Sequence, residues 1–117
     1  MKPLIPHFTP AKRAGDYIFV SGQLPFVAPG EIIEGDIVVH LQQVMANLSE
    51  ALEGVGASLS DVVKNMIWLV NTEDFPAFNK AYADYFPGQP PARATVCSAL
   101  MVPGALIEIE AVAYKPL

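Results

Sequence analysis

The sequence predicts a single α+β domain in which two helices cover one face of a mixed β-sheet. The predicted elements run in the order strands, helix, strand, helix, two strands, an order typical of this architecture. A chain of 117 residues suits one domain, residues 1–117. Hydrophobic residues make up 52% of the chain and charged residues only 16%. We therefore expect other copies of the chain to cover part of the apolar surface.

The first elements are predicted to be two strands. Residues Tyr17–Gln23 are rich in β-branched and aromatic side chains and lie between Gly-Asp and Leu-Pro pairs, which favours a strand. Residues Ala11–Ala14 are interpreted as an edge strand that turns back into it. Residues 25–35 are predicted to form a loop with a short extended piece at Ile32-Ile33.

The first helix is predicted to begin after Asp36, which is a suitable N-cap residue. Gly54 and Gly56 favour its end. Between them, apolar residues recur at helical spacing and form one stripe. The members of this stripe are Leu41, Val44, Met45, Leu48, Leu52 and Val55.

The second half of the chain predicts a strand, a helix and two final strands. Residues 62–70 are almost continuously apolar, which is typical of a strand covered on both faces. Residues 71–74 are predicted to cap a helix that tolerates Pro76 in its first turn. Residues 93–100 and 106–114 are predicted to form the last strands. The aromatic residues of the second helix are interpreted as core: Phe75, Phe78, Tyr82, Tyr85 and Phe86.

Two charged residues in the final strands need a physical reason. Arg93 is the only cation between Tyr85 and Tyr114, and Glu108 follows it in a similar apolar run. A charge is costly to bury unless it is paired or used. One interpretation is an Arg93–Glu108 ion pair at an edge or a subunit interface. The other is a small-molecule site in which the guanidinium binds a carboxylate beside an acid.

Composition weighs against several classes of function. The net charge is −5 and the cations are scattered, so no nucleic-acid partner is expected. No segment approaches the roughly 18 apolar residues of a membrane span, and none resembles a signal peptide. We therefore expect a cytoplasmic protein without a membrane partner. His7 and His40 lie far apart, so no metal site is predicted. Cys97, the one cysteine, is interpreted as a packing residue.

Five short segments together resemble one known family. They are Val20-Ser21-Gly22-Gln23-Leu24-Pro25, Asp61-Val62-Val63-Lys64, Phe78-Asn79-Lys80-Ala81-Tyr82, Pro91-Ala92-Arg93 and Ile107-Glu108-Ile109-Glu110-Ala111. In this order and at these spacings, the chain resembles the Rid family. These are the reactive intermediate (imine) deaminases, also called YjgF-like proteins. The resemblance covers nearly the whole chain.

The resemblance implies a homotrimer with a chorismate-mutase-like fold, in which three sheets form a central barrel-like core. It also implies ligand clefts between subunits. The implied activity is that of a 2-iminobutanoate/2-iminopropanoate deaminase: hydrolysis of enamines and imines, such as 2-aminoacrylate, to the 2-oxo acid and ammonia. No cofactor is implied. The implied partners are a small carboxylate substrate and two further copies of the chain.

The resemblance also assigns roles to individual residues. By position, Arg93 matches the arginine that binds the substrate carboxylate, and Glu108 matches the acid near the attacking water. Ser21 and Gly22 match strand residues that line the cleft.

Two positions depart from the pattern of many active members. Phe8 stands where those members carry a tyrosine, and Thr95 stands where they carry a cysteine. Since these side chains help to hold ligand or water in the family, Phe8 and Thr95 bear on substrate preference and rate. An alternative function is therefore non-catalytic binding of a 2-oxo acid or similar carboxylate. RNA cleavage, proposed for relatives, is disfavoured by the acidic charge and the missing histidine dyad.

Overall fold

A computed structural model of the protein describes residues 7–117. Helices and strands follow one another along the chain in the predicted order, with one additional hairpin. The strands are β1 (Ala11–Ala14), β2 (Tyr17–Gln23), β3 (Phe26–Ala28), β4 (Glu31–Ile32), β5 (Val62–Leu69), β6 (Ala92–Cys97) and β7 (Ile107–Tyr114). The α-helices are α1 (Ile37–Glu53) and α2 (Phe75–Ala83). Strands β3 and β4 form the extra hairpin, where the sequence predicted a loop with one extended piece.

Five of the strands form one mixed sheet in the order β1-β2-β7-β5-β6. All neighbours are antiparallel except β5 and β6, which are parallel. The parallel pair follows from the connection, because α2 lies between the two strands and carries the chain back to the same end of the sheet. Strand β6 is therefore an edge strand, and its outer edge has no partner among residues 7–117.

Helix α1 packs its apolar stripe against the sheet as predicted, except that Val55 lies beyond the last helical residue, Glu53. Its members from Leu41 to Leu52 are at most 1% exposed. Asp36 caps the helix, because its carboxylate accepts a hydrogen bond from the Val39 N–H at 3.0 Å. Gly54 ends it. The predicted mixed sheet with two helices is confirmed. Neither described helix has the length and apolarity needed to cross a membrane.

Helix α2 starts differently from the prediction. A short 3₁₀ turn, Thr72–Asp74, leads into it, and the N-cap residue Asp74 makes no side-chain capping hydrogen bond. The predicted side-chain cap is therefore wrong, because the chain enters the helix already wound. Phe78 and Tyr82 are buried as predicted, whereas Phe75 is 40% exposed at the first turn.

The sheet has one covered face and one open face. On β7 the buried residues Ile107, Ile109, Ala111 and Ala113 alternate with less buried ones. On β5, Asn65, Ile67 and Leu69 are buried while their neighbours are partly exposed. Both helices pack on the same side, so the other face of β5 is partly exposed in one chain, and its covering by further copies stays a prediction.

Candidate functional site

Arg93 lies at the edge of the sheet, with its side chain directed toward α2. Its Nη2 donates a hydrogen bond to Asn79 Oδ1 at 2.5 Å. Its Cζ lies 4.9 Å from the centroid of the Tyr82 ring and 5.6 Å from that of Phe78. A cation over aromatic faces is held by the ring quadrupoles. No other residue of the described chain accepts a hydrogen bond from this guanidinium, which has five N–H donors. The guanidinium is thus held by Asn79 and the rings of α2, while its other N–H groups have no acceptor within residues 7–117.

A buried polar group lies below Arg93. Asn65 is its register partner on β5 and is 0% exposed. The Asn65 Nδ2 donates to the Tyr82 hydroxyl oxygen at 2.8 Å. Burial raises the pKa of Tyr82, against smaller lowering effects of the Asn65 hydrogen bond and the Arg93 charge. The phenol therefore stays protonated, and Asn65 fixes the ring on which the guanidinium lies.

Thr95 follows Arg93 by two residues on β6, so it lies on the same side of the sheet. Its Oγ1 is buried and has no hydrogen-bond partner within residues 7–117. The Asn65 Oδ1 is likewise buried and has no hydrogen-bond partner within residues 7–117. Buried polar atoms are normally hydrogen-bonded, so two partnerless oxygens near one arginine mark this place as unusual.

Glu108 lies on the open face of the sheet, directly against the backbone of Gly22. A Cβ atom at position 22 would overlap the Glu108 Oε2 and lie 3.0 Å from its Cδ. Only glycine leaves room for the carboxyl group in this position. Burial raises the pKa of Glu108, and the negative charge of Glu110 raises it further. The carboxyl group therefore holds a proton more readily than an ordinary glutamate.

A β-bulge in β2 includes Ser21 and Gly22, and the Gly22 backbone lies against Glu108. The register between β2 and β7 shifts between Val20 and Gln23, which frees the residues between them from regular pairing. The Ser21 hydroxyl donates to the Thr9 carbonyl at 2.7 Å. Phe8 precedes Thr9 and is 55% exposed. The chain connection thus places Phe8 beside the Ser21 segment.

A shallow concavity of about 400 Å³ lies next to this segment on the open face. Its lining includes Thr9, Lys12, Phe19, Ser21 and Glu110. Arg93 and Glu108 are not among its lining residues. The concavity of one chain is therefore not the cleft that the sequence predicts for this pair.

The site residues thus form two separate groups. Arg93 and Thr95 face the helices, whereas Glu108 is on the opposite side of the sheet, two strands away. Strand spacing and rise put the Arg93 and Glu108 Cα atoms about 14 Å apart. The only ion pair among residues 7–117 joins Lys115 Nζ to Asp61 Oδ1 at 3.9 Å. An Arg93–Glu108 pair within one chain is therefore excluded, while a pair between two copies stays an open interpretation.

Strand β6 is less buried than the sequence indicated. Its residues are exposed or half-buried because nothing in the described chain pairs with its outer edge. Cys97 is exposed at its end, and its thiol donates to the Val70 carbonyl at 3.3 Å. The interpretation of Cys97 as a packing residue is therefore wrong for the single chain.

The sequence analysis assigned no role in the site to Asn65, Asn79 or Tyr82. A signal existed for Asn65, which is a polar residue inside an otherwise apolar strand, and for Asn79, which lies between the aromatic residues of α2. Their contacts with Arg93 depend on how α2 packs on β5 and β6. Within residues 7–117, no cluster of three or more His, Cys, Asp or Glu side chains could hold a metal ion.

The chain is similar to a set of known proteins over almost its whole length. Residues 2–115 match the family described as Endoribonuclease L-PSP. A RutC family protein of Pyrococcus horikoshii is 42% identical, with 97% of this chain and 90% of that protein covered. The 3-aminoacrylate deaminase RutC of Acinetobacter baylyi is 40% identical, with 96% and 89% covered.

Solved structures show the same fold. The crystal structure of RidA from an Antarctic Psychrobacter bacterium is 33% identical to this chain, with a TM-score of 0.85. The match covers 96% of this chain and 92% of the Psychrobacter chain. At this identity, the likeness concerns both the fold and the sequence.

Proposed function

The chain belongs to the Endoribonuclease L-PSP family, the Rid or YjgF-like family that its sequence resembles, and we propose that it hydrolyses small carboxylate-bearing imines and enamines. The products are the 2-oxo acid and ammonia. At the level of the family, deamination is supported by the relative named 3-aminoacrylate deaminase. The observation that carries the proposal for this chain is the Arg93 guanidinium, which is fixed by Asn79 and the α2 rings while most of its donors are free.

Arg93 would hold the substrate by its carboxylate. A planar guanidinium presents two parallel N–H groups to the two carboxylate oxygens, a geometry that a lysine ammonium does not offer. Each such hydrogen bond to a charged group contributes about 1.5–3 kcal/mol. The imine carbon is adjacent to this carboxylate, so fixing one group fixes the position of the other.

Glu108 would manage the protons of the reaction. Its carboxylate takes a proton from water as the water oxygen attacks the carbon of the protonated imine, which gives a neutral carbinolamine. Glu108 then passes this proton to the nitrogen and takes up the hydroxyl proton as the C=O group forms, the C–N bond breaks and ammonia leaves. An enamine first takes a proton at carbon, which gives the same protonated imine. The raised pKa of Glu108 suits a group that both accepts and returns a proton.

Two copies of the chain would build each cleft. Arg93 and Glu108 lie on opposite faces of one sheet and are too far apart to touch the same small substrate. The proposed arrangement combines Arg93 of one copy with Glu108 of the partner subunit, in a homotrimer with three such clefts. The unpaired edge of β6 and the apolar residues of the open face support an interface between copies.

The test is ammonia release from an imine generated in situ by an amino-acid dehydratase or oxidase. If the protein is a hydrolase, the purified protein should accelerate the release of ammonia, and Arg93→Ala should abolish this acceleration. A carboxylate binder without catalysis would bind a 2-oxo acid in calorimetry, through Arg93, and leave the rate unchanged. That outcome would overturn the hydrolase proposal in favour of the binding function.

A further inference from the structure

His40 is a buried polar residue that the proposed chemistry does not use. It lies in the first turn of α1 and is 2% exposed, on a helix face whose other buried residues are apolar. Its Nδ1 accepts a hydrogen bond from the Leu106 N–H at 3.2 Å. The bond joins the helix layer to the sheet.

Leu106 leads directly into the strand that carries Glu108. Its carbonyl accepts a hydrogen bond from the Val70 N–H at 3.1 Å, which extends the pairing of β5 with β7. Ile107 begins β7, and Glu108 is the next residue. The peptide at the start of β7 is therefore held by one bond from the sheet and one from His40.

The bond from Leu106 requires a particular protonation state. An Nδ1 that accepts a hydrogen bond carries no proton, so the imidazole is neutral with its hydrogen on Nε2. A second proton would set an N–H of the ring against the N–H of Leu106. Protonation of His40 therefore cannot coexist with this contact.

The surroundings of His40 shift its pKa in opposite directions. Burial lowers the pKa of His40 and is the largest effect. The Ile33 carbonyl and the carboxylates of Asp36, at the start of α1, and Asp74, before α2, raise that pKa by smaller amounts. With the folded pKa below the usual 6.5, the neutral form dominates at neutral pH, and protonation becomes important only as the medium turns acid.

We propose that His40 is a positioning residue for Glu108: its neutral imidazole fixes the start of β7, and its protonation releases Leu106 and moves the Glu108 carboxyl group away from Gly22. The proposal rests on the proposed function in one respect, namely that Glu108 acts on water. It adds a second acid-sensitive group to that site. Acid would then switch the activity off in two ways, by protonating Glu108 itself and by displacing it.

The test compares His40→Gln with the unaltered protein. A glutamine carbonyl can accept the Leu106 hydrogen bond but does not titrate. Two protonations should give the acid limb of log kcat/KM a slope approaching two in the unaltered protein, and one protonation should give a slope of one in His40→Gln. At pH 7.5 the His40→Gln variant should keep its activity within about twofold, because the contact survives.

His40→Leu serves as the matched control, since it removes the acceptor at every pH. It should lower kcat even at pH 7.5 and should also show a slope of one. Circular dichroism at each pH restricts the comparison to folded protein. Identical acid limbs for His40→Gln and the unaltered protein would overturn the proposal.

A second readout does not depend on catalysis. In ¹⁵N NMR spectra, the amide signals of Leu106 and Glu108 should shift with the protonation of the His40 ring, and these shifts should be absent in His40→Gln. If these shifts occur in a protein that hydrolyses no imine, the proposed function fails while the coupling stands. If the protein hydrolyses imines but the two amide signals do not shift when His40 is protonated, the coupling is wrong and the function stands.

Discussion

The residues of the site show how neighbouring groups prepare a charged side chain for use. The Arg93 guanidinium is held by one amide and three aromatic rings, of Phe75, Phe78 and Tyr82. The Glu108 carboxyl group occupies space left by a missing side chain at Gly22. In both cases the groups that fix the position are not those that would react. Substitutions at Arg93 and at Gly22 test these two parts of the site separately.

For Arg93 we expect Arg93→Ala to lower kcat/KM for imine hydrolysis on the order of 100-fold or more, since two charged hydrogen bonds are lost. Arg93→Lys should recover little, because an ammonium does not reproduce the planar fork. Calorimetry with a 2-oxo acid should show the same ranking for binding. Activity of Arg93→Lys near that of the unaltered protein would contradict the assigned role.

For Gly22 we expect Gly22→Ala to reduce kcat about 10- to 100-fold, because the added methyl group displaces the Glu108 carboxyl group. Gly54→Ala is the matched control. A Cβ at position 54 meets only the Ala51 carbonyl oxygen at 3.4 Å and the Glu50 carbonyl oxygen at 3.7 Å, and the backbone there is helical. Steady-state kinetics should separate the two alanines, and equal activity would show that the Glu108 position is not critical.

At the scale of the elements, β5 and α2 form the platform on which Arg93 rests. Asn65 is fully buried between them, and its Nδ2 bond to Tyr82 is the one hydrogen bond found for its side chain within residues 7–117. Since a buried donor without a partner is costly, this bond couples the strand to the helix. The orientation of the Tyr82 ring below the guanidinium depends on that coupling.

We expect Tyr82→Phe to lower the free energy of unfolding by about 1–3 kcal/mol, because it leaves the Asn65 donor buried and unpaired. The double variant Asn65→Val/Tyr82→Phe should regain part of this loss, since neither partner remains to be desolvated. Urea unfolding of the two single variants and the double variant gives the interaction energy. Strict additivity of the two changes would contradict the coupling.

The elements also show what a sequence can and cannot predict. Helix α1 was predicted with its cap, because helical spacing and Asp36 are local signals. The hairpin β3-β4 was missed, since strands of two or three residues leave little pattern. The faces of Arg93 and Glu108 depend on the register of a parallel pair and on a bulge, which are not local properties. The sequence therefore identified both residues but not their separation.

At the scale of the whole molecule, the open face of the sheet carries exposed apolar residues that no helix of one chain covers. Tyr17, Phe19 and Tyr114 lie on it and are between 43% and 51% exposed. Glu108 shares this face, while Arg93 lies at the unpaired edge of β6. Association of copies would cover the aromatic residues and bring the two halves of the site together. The homotrimer and its chorismate-mutase-like barrel stay predictions.

We expect sedimentation equilibrium to give a trimer at micromolar concentration, because apolar area of this kind is rarely left in water. Phe19→Glu, which places a charge in the middle of the open face, should weaken the assembly and lower activity together. Gln42→Glu provides the matched control, because it adds the same single negative charge to a side chain that is exposed on α1, on the helix side of the sheet. A stable, fully active monomer would refute the shared cleft.

The most direct test of the account is complementation between two inactive chains. Arg93→Ala and Glu108→Gln should each be nearly inactive alone. When equal amounts are refolded together, a trimer whose clefts combine Arg93 of one copy with Glu108 of the partner subunit should have about one quarter of its clefts intact, by random assortment. Ammonia release near a quarter of the unaltered rate is therefore predicted. Activity no higher than that of the two separate variants would contradict the shared cleft.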